Sequence, residues 1–332
     1  MAGCGSGEVG GPARDARLAE PFGVGFDRRG NWYICEYRGQ RITRVDTAGR
    51  LTAFAGSDPS TAPVAGLPAR EVKFHEPHGL VITRDDQMYV ADMLNHRVIR
   101  IGLRTQKADV VAGTGEAGYG GDGGPATAAK FNQMYALELG RAGDRLYLTD
   151  LRNRRIRLLD LKSGVIETIA GNGEKGVPTD SEEAVRSPLV DPRAATVDSK
   201  GNLYILERGG NALRVVDLSG RIRTLLGPGN ELPAPSTISE KLKFLNGPKH
   251  LCVDRTDNVI IADTENHIIR VFRPKDGTTV NLVGTGEAGS LIVSDDPLKT
   301  QLNRPHGVMV HPSGALYVSD SGNNRVLKMT GW

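Results

Sequence analysis

Residues 77–82, Pro77-His78-Gly79-Leu80-Val81-Ile82, carry apolar side chains two positions apart, as a β-strand with one packed face requires. A turn separates this strand from Met88-Tyr89-Val90-Ala91-Asp92, which is almost wholly apolar and ends on a carboxylate. Asn95-His96-Arg97-Val98-Ile99-Arg100 then follows as an amphipathic third strand. The three segments predict an antiparallel meander in which each strand pairs with the next.

The same unit recurs six times along the 332 residues. It is most easily indexed by the carboxylate that closes the second strand, and successive carboxylates lie 56, 58, 57, 56 and 57 residues apart. The six residues are Glu36, Asp92, Asp150, Glu207, Asp263 and Asp320. A period this regular over the whole chain is typical of a repeat architecture.

Each unit has room for four strands and none for a crossover helix, which favours antiparallel sheets arranged radially. We therefore predict an all-β fold, a six-bladed β-propeller of four-stranded antiparallel blades, forming a single domain over residues 1–332. Short helical turns are expected before the first strands, for example over residues 124–131 and 239–244. The blades are expected at residues 18–57, 74–115, 131–173, 189–229, 244–286, and 302–332 together with 1–5.

The two ends of the chain complete one blade in this scheme. Met1-Ala2-Gly3-Cys4-Gly5 matches the end of a fourth strand such as Val111-Ala112-Gly113-Thr114-Gly115, and residues 326–330 form a third strand. The N-terminal strand should therefore join the last blade and close the ring, which removes the exposed edges of an open sheet. Whether residues upstream of Met1 have been removed stays open.

The composition argues against several kinds of partner. A net charge of +3, from 42 Lys and Arg against 39 Asp and Glu, is too small to indicate nucleic-acid binding. No apolar run is long enough to span a membrane, and the N-terminus lacks the regions of a signal peptide. We expect a soluble monomer, without predicting its compartment. Cys4, Cys35 and Cys252 show no metal-binding spacing, and the last two are expected to be buried in strands.

Three of the units resemble the NHL repeat. They are Asp92-Met93-Leu94-Asn95-His96-Arg97-Val98-Ile99, Asp263-Thr264-Glu265-Asn266-His267-Ile268-Ile269 and Asp320-Ser321-Gly322-Asn323-Asn324-Arg325-Val326. The resemblance covers essentially the whole chain and implies a β-propeller. It implies no particular function, because the fold carries binding modules and enzymes alike.

The six carboxylates occupy one structural position, so we expect them to accept hydrogen bonds from backbone amides in the turn between strands two and three. The arginines five positions later should pair with carboxylates of neighbouring blades. They are Arg41, Arg97, Arg155 and Arg325.

The repeats differ in chemistry at the residue after the strand-entry Pro, or after Met134 in the third unit. First strands surround a propeller axis, and this residue should lie on the face that carries the long loops. We predict that these six side chains ring one mouth of the central channel and bind an anionic or aromatic small ligand. The residues of this mouth ring are Phe22, His78, Tyr135, Arg193, Lys249 and His306, with His250 as a neighbouring candidate.

A metal site is a second hypothesis for the same mouth. In the peptide-amidating lyases, which share the propeller, Pro-His at strand entry supplies zinc-binding histidines. His78 in Glu76-Pro77-His78-Gly79 and His306 in Arg304-Pro305-His306-Gly307 match that motif. This resemblance implies that both histidines could hold zinc or another divalent metal. Zinc needs three or four ligands, and the third is not evident from the sequence.

Glu138 interrupts an otherwise apolar strand, Ala136-Leu137-Glu138-Leu139, so it needs a partner or a raised pKa. It and Tyr135 are candidate acid or base residues if the chain is an enzyme. The first interpretation is a propeller that binds a small-molecule, protein or peptide ligand on its loop-rich face. The alternatives are a metal-assisted lyase or hydrolase of a small substrate, and a protein-interaction scaffold.

Overall fold

A computed structural model describes residues 1–228 and 244–332 of the chain. The part described contains 24 strands in short antiparallel sheets. Their bounds are β1 Pro21–Phe26, β2 Trp32–Glu36, β3 Arg41–Val45, β4 Leu51–Ala55, β5 Ala65–Pro68, β6 Pro77–Ile82, β7 Gln87–Asp92, β8 Arg97–Gly102, β9 Lys107–Ala112, β10 Met134–Leu139, β11 Arg145–Asp150, β12 Arg155–Asp160, β13 Ile166–Ala170, β14 Pro192–Val197, β15 Leu203–Glu207, β16 Ala212–Val216, β17 Ile222–Leu226, β18 His250–Val253, β19 Val259–Asp263, β20 Ile268–Arg273, β21 Thr278–Val283, β22 Gly307–Val310, β23 Leu316–Asp320 and β24 Arg325–Met329.

The sheets form six blades in which, apart from β5, each strand of a blade pairs with the next along the chain. The innermost strands β1, β6, β10, β14, β18 and β22 contact one another in sequence, and β22 contacts β1. This contact closes the ring. The prediction of an all-β, six-bladed propeller is therefore confirmed.

The N-terminus closes the last blade, as predicted. Ala2 forms an antiparallel bridge with Val326, in which the Ala2 amide donates to Val326 at 3.0 Å and the Val326 amide donates back at 2.9 Å. The pairing is limited to this bridge, and the sheet β22-β23-β24 has three strands of its own.

Blade 2 contains a fifth strand that the sequence did not predict. β5 lies in the loop before the blade and pairs with the outer strand β9, through Ala65 opposite Asp109 and Pro68 opposite Lys107. Seven short 3-10 turns lie among the described residues, at Ala69–Glu71, Met93–Asn95, Ala126–Ala128, Ala184–Arg186, Thr264–Asn266, Pro297–Lys299 and Ser321–Asn323. The turn expected over 124–131 is one of them. The turn expected over 239–244, apart from its last residue, and the blade end expected at 229 fall on residues that lie outside those described.

Apolar side chains fill the space between neighbouring blades. One such cluster combines Cys35 and Ile42 of blade 1 with Leu80, Val90 and Ile99 of blade 2, all of them buried. Burial of this kind supplies most of the favourable free energy of folding. Cys252 is also buried in its strand. No helix in the two described ranges is long and apolar enough to cross a membrane.

The six repeat carboxylates are structural, but their amide partners differ from those expected. Each accepts a hydrogen bond from a backbone N–H just before the first strand, seventeen residues upstream or, for Asp150, eighteen, and not from the turn between strands two and three. The donors and acceptors are Ala19 and Glu36 at 2.9 Å, His75 and Asp92 at 2.8 Å, Asn132 and Asp150 at 2.8 Å, Val190 and Glu207 at 2.5 Å, Asn246 and Asp263 at 2.8 Å, and Asn303 and Asp320 at 2.7 Å. The carboxylate thereby fixes where its own blade begins.

The expectation for the arginines was wrong. Arg41, Arg97 and Arg325 donate to the carboxylates of their own blades, Glu36, Asp92 and Asp320, at 3.0, 2.8 and 2.7 Å. These pairs lie inside a blade because strands two and three are hydrogen-bonded neighbours, so the side chains meet across the ladder.

Blades 3 and 5 differ from this pattern. Arg155 donates to the carbonyls of Asn153 and Asn172. Arg270 pairs with Asp263 at 2.6 Å, seven residues away, in blade 5.

Candidate functional site

The six predicted mouth-ring residues come together around one cavity of about 360 Å³. Each belongs to a different blade and lies at the entry of the innermost strand. Phe22, His78, Tyr135 and Arg193 are the second residues of β1, β6, β10 and β14, while Lys249 and His306 directly precede β18 and β22.

A β-bulge aims the ring side chains at the cavity. In blades 1 to 4 the pairing of the first and second strands shifts register just after the strand-entry residue, for example between Pro77 and Gly79. A bulge leaves one residue out of the ladder and redirects its side chain. His78 occupies the shifted position in blade 2, and its imidazole lines the mouth cavity.

The strand entries of five blades are also tied to the preceding blade. The residue before the first strand has a positive φ in five blades, as at Gln133 with 61°, a conformation that L-residues adopt only when the surroundings impose it. Its N–H donates to a side chain at the start of the previous blade's third strand. The donor and acceptor pairs are Glu20 and Asn324, Glu76 and Gln40, Gln133 and His96, Gly247 and Asn211, and Arg304 and His267.

Four of the ring residues form an aromatic floor, defined as Phe22, His78, Tyr135 and His306. Phe22 stacks on His306 with ring centroids 3.7 Å apart, and His78 packs on Tyr135 at 3.6 Å. The Tyr135 hydroxyl lies 3.3 Å from Nε2 of His306. All four side chains are buried, and Phe22 and His78 also line a narrow space deeper in the channel.

Burial also sets the charge state of the floor. The pKa values of His78 and His306 lie well below the ordinary value, first because burial disfavours the imidazolium and then because charged neighbours, including Lys249, repel it. Burial raises the pKa of Tyr135. The floor is therefore uncharged at neutral pH.

The other side of the cavity is a cationic wall, defined as Arg38, Arg193, Arg208, Lys249 and Arg304. The four arginines have carboxylate partners, listed here with their distances: Arg38 with Glu20 at 3.1 Å, Arg193 with Asp191 at 3.2 Å, and Arg208 and Arg304 with Glu265 at 3.5 and 2.8 Å. Lys249 has no carboxylate within ion-pair distance among the residues the structure describes. Burial lowers its pKa to about 8, with the charges of Arg304 and Arg208 acting in the same direction.

The structure brings His78 and His306 together, with ring centroids 4.7 Å apart. Over the described ranges, no three His, Cys, Asp or Glu residues converge in a way that could hold a metal ion. His250 does not reach the mouth cavity. It lines a narrow space deeper in the channel, where its Nδ1 accepts from the Val308 amide at 3.4 Å. The metal hypothesis thus stays a prediction resting on two histidines.

Glu138 lies at the opposite end of the channel from Tyr135. It is half-buried and lines a separate cavity of about 230 Å³ together with Cys252 and His311. Burial raises its pKa to about 8. The structure therefore separates the two candidate acid or base residues, and Glu138 does not share a cavity with His78 or His306.

Sequence reasoning missed the rim of the cavity, which includes Tyr37, Arg38, Arg208 and Arg304. Tyr37 and Arg208 directly follow the carboxylates Glu36 and Glu207. The residues in this position differ among the six repeats, being Tyr37, Met93, Leu151, Arg208, Thr264 and Ser321. The same comparison that identified the mouth ring, applied one residue after the carboxylate, would have identified much of the rim.

A closed ring of six short antiparallel sheets, with one variable side chain per blade at the channel mouth, defines a six-bladed repeat propeller. The family described as the Teneurin NHL domain matches residues 159–331, more than half of the chain. The chain belongs to the NHL-repeat family.

Two curated relatives extend this comparison. The chloroplastic protein SUPPRESSOR OF QUENCHING 1 of Arabidopsis thaliana is 24% identical over 271 residues, covering 77% of this chain and 25% of the relative. NHL repeat-containing protein 2 of Bos taurus is 26% identical over 285 residues, covering 77% of this chain and 39% of the relative. The chain thus spans between a quarter and two fifths of the length of these relatives.

A solved structure of a structural genomics protein from Bacteroides thetaiotaomicron superposes with a TM-score of 0.70 at 14% identity. The match covers 99% of this chain and 74% of that one. At this identity the similarity shows the fold alone.

Proposed function

We propose that this propeller binds a small ligand that carries both a carboxylate or phosphate and a flat apolar group, in the mouth cavity. Membership of the NHL family is consistent with a binding role. The observation that carries the proposal is the placement of Lys249, a half-buried cation without a described carboxylate partner, beside a floor of four buried rings.

The charges around the cavity support an anionic ligand. The five cations of the wall are matched by three carboxylates, Glu20, Asp191 and Glu265. A cation held away from water without a partner is unfavourable, and an anion placed beside it relieves that penalty. Arginine and lysine also donate the charge-assisted hydrogen bonds that carboxylates and phosphates accept.

The floor supports a flat apolar group on the same ligand. Phe22 and Tyr37 stack with ring centroids 4.6 Å apart, and Tyr37 extends the aromatic surface up the side of the cavity. A planar group can pack against such rings and gains roughly 1 kcal/mol beyond simple burial. The cavity volume of about 360 Å³ is at the small end of the range for ligand sites.

Isothermal titration calorimetry with phenyllactate tests this proposal, because phenyllactate combines a carboxylate with a phenyl ring. Its uncharged analogue 3-phenylpropane-1,2-diol measures what the charge contributes. We expect phenyllactate to bind at least about tenfold more tightly than the diol, and its affinity to fall as salt screens the wall.

Variants of the wall make the same test specific to the site. Arg193→Ala and Lys249→Ala should each weaken phenyllactate binding by about tenfold or more, since each loses a charged hydrogen bond. Arg186→Ala is the matched control, because Arg186 is exposed and pairs with Glu183 in a distant loop. Equal affinity for acid and diol, or equal weakening by all three variants, would overturn the proposal.

A further inference from the structure

Lys249 places an amine in the mouth cavity, and the surroundings of that amine favour a covalent reaction as well as binding. This inference rests on the proposed function. Lys249 reaches the cavity from the loop end of blade 5, and its main chain is fixed there by donating to the Ala262 carbonyl at 3.1 Å. The neighbouring cations Arg208 and Arg304 are held by Glu265. Nothing in the described part of the chain forms an ion pair with the Lys249 ammonium, so that group can lose its proton without breaking one.

The neighbours of Lys249 favour its neutral form. Burial is the main cause that lowers the pKa of Lys249 to about 8. The charges of Arg304, Arg208 and Arg193 also lower this pKa, whereas the carboxylate of Glu265 raises it. At pH 7.4 roughly a fifth of the side chain is then neutral, against about one in a thousand for an ordinary lysine. A neutral lysine is a nucleophile towards carbonyl carbon.

We propose that Lys249 forms an imine with the carbonyl group of a 2-oxo acid bound at the mouth. The Nζ lone pair attacks the carbonyl carbon, the carbonyl oxygen takes up a proton, and the carbinolamine loses water. One C=N bond replaces one C=O bond, so no oxidant or reductant takes part. The carboxylate beside the carbonyl interacts with Arg193 and the rest of the wall, while an aromatic substituent packs on the floor.

The floor also offers proton donors and acceptors for the loss of water. The Tyr135 hydroxyl lies 3.3 Å from Nε2 of His306, and the Arg193 guanidinium lies 4.7 Å from the centre of the Tyr135 ring. Tyr135 keeps its proton at neutral pH, since burial raises its pKa. It can therefore donate a hydrogen bond to the departing hydroxyl.

Reductive trapping tests this inference. The full chain is incubated with phenylpyruvate and sodium cyanoborohydride, and the modified residue is located by peptide mass spectrometry. We expect one adduct per chain, on Lys249, formed at least about tenfold faster than on any other lysine. Phenyllactate, which has the same shape without the carbonyl group, should protect Lys249.

Two variants sharpen the trapping result. Lys249→Arg keeps the positive charge but cannot form an imine, so it should bind phenyllactate with reduced affinity and form no adduct in the cavity. Lys299→Arg is the control, because Lys299 is exposed and pairs with Asp296. It should leave the rate and site of trapping unchanged.

The possible outcomes separate the two proposals. If phenyllactate binds and phenylpyruvate leaves Lys249 unmodified, or labels exposed lysines equally fast, the imine is overturned and the binding function stands. If phenyllactate does not bind, the binding function fails, and the inference that depends on it fails with it.

Discussion

The phenyl ring of Phe22 lies nearly flat on the imidazole of His306, with centroids 3.7 Å apart and planes 13° from parallel. Phe22 belongs to the first blade and His306 to the last, so the contact spans the point where the ring closes. The same phenyl ring touches Tyr37 and His78. This one side chain thus connects the closure of the fold with the floor of the candidate site.

Truncating Phe22 should therefore weaken both stability and binding. We expect Phe22→Ala to lower the free energy of unfolding by roughly 3 kcal/mol, because it removes a buried ring and leaves a cavity. Phe22→Leu, which fills much of the space, should lose less than half as much. Urea denaturation measures both values, and a loss under about 1 kcal/mol for Phe22→Ala would contradict the role assigned to the stack.

The buried carboxylate pairs should matter far more than exposed ones. Asp263→Ala removes a carboxylate that accepts from the Asn246 amide and from Arg270, and leaves Arg270 buried without it. We expect a loss of roughly 3–5 kcal/mol. Asp58→Ala is the matched control, because Asp58 and its partner Arg70 are both exposed, and it should change stability by less than about 1 kcal/mol. Similar losses of stability in the two variants would contradict the structural role assigned to the repeat carboxylates.

The link between blades can be tested at His96, whose Nδ1 accepts from the Gln133 amide at 3.0 Å. His96 has a φ of 52°, a conformation that asparagine tolerates well, and Asn324 holds the same position in blade 6. His96→Asn should therefore change the free energy of unfolding by less than about 1 kcal/mol. His96→Leu should lower it by about 1–3 kcal/mol, because the Gln133 amide loses its acceptor. Thermal denaturation measures both variants, and equal losses of stability in the two would contradict this link between blades.

Glu138 should make stability depend on pH. Burial raises its pKa from 4.5 to about 8, so the folded chain keeps a proton that the unfolded chain has already released between those values. The folded state then binds more protons, and the contribution of Glu138 to the free energy of unfolding falls as pH rises through this window. Glu138→Gln should gain stability relative to the parent between pH 5 and pH 8.5, by at least about 1 kcal/mol. Urea denaturation of the variant and the parent at the two pH values measures this gain. If the stability of both proteins changed equally with pH, the raised pKa of Glu138 would be contradicted.

The repeat made the fold predictable, because six copies of one pattern report the same strands independently. The convergence of the mouth ring followed from the same logic, since residues at one repeat position must lie around one axis. The pairing of Arg97 with Asp92 was missed because the register between strands two and three is not visible in composition. His250 and Glu138 were harder still. They lie two and four residues beyond the strand-entry residues Pro248 and Met134, and they line two cavities that are separate from the mouth cavity.

The bulge at the strand entries of blades 1 to 4 has a consequence for how such a propeller can diversify. The mouth side chain stands outside the ladder, while the backbone that carries it is fixed by a carboxylate in its own blade and by a side chain from the blade before. In blade 2 the residues that fix the strand entry, Asp92 and Gln40, are thus different from the residue that lines the cavity, His78. A mutation at His78 can therefore change the chemistry of the cavity while the hydrogen bonds that hold the strand entry stay in place.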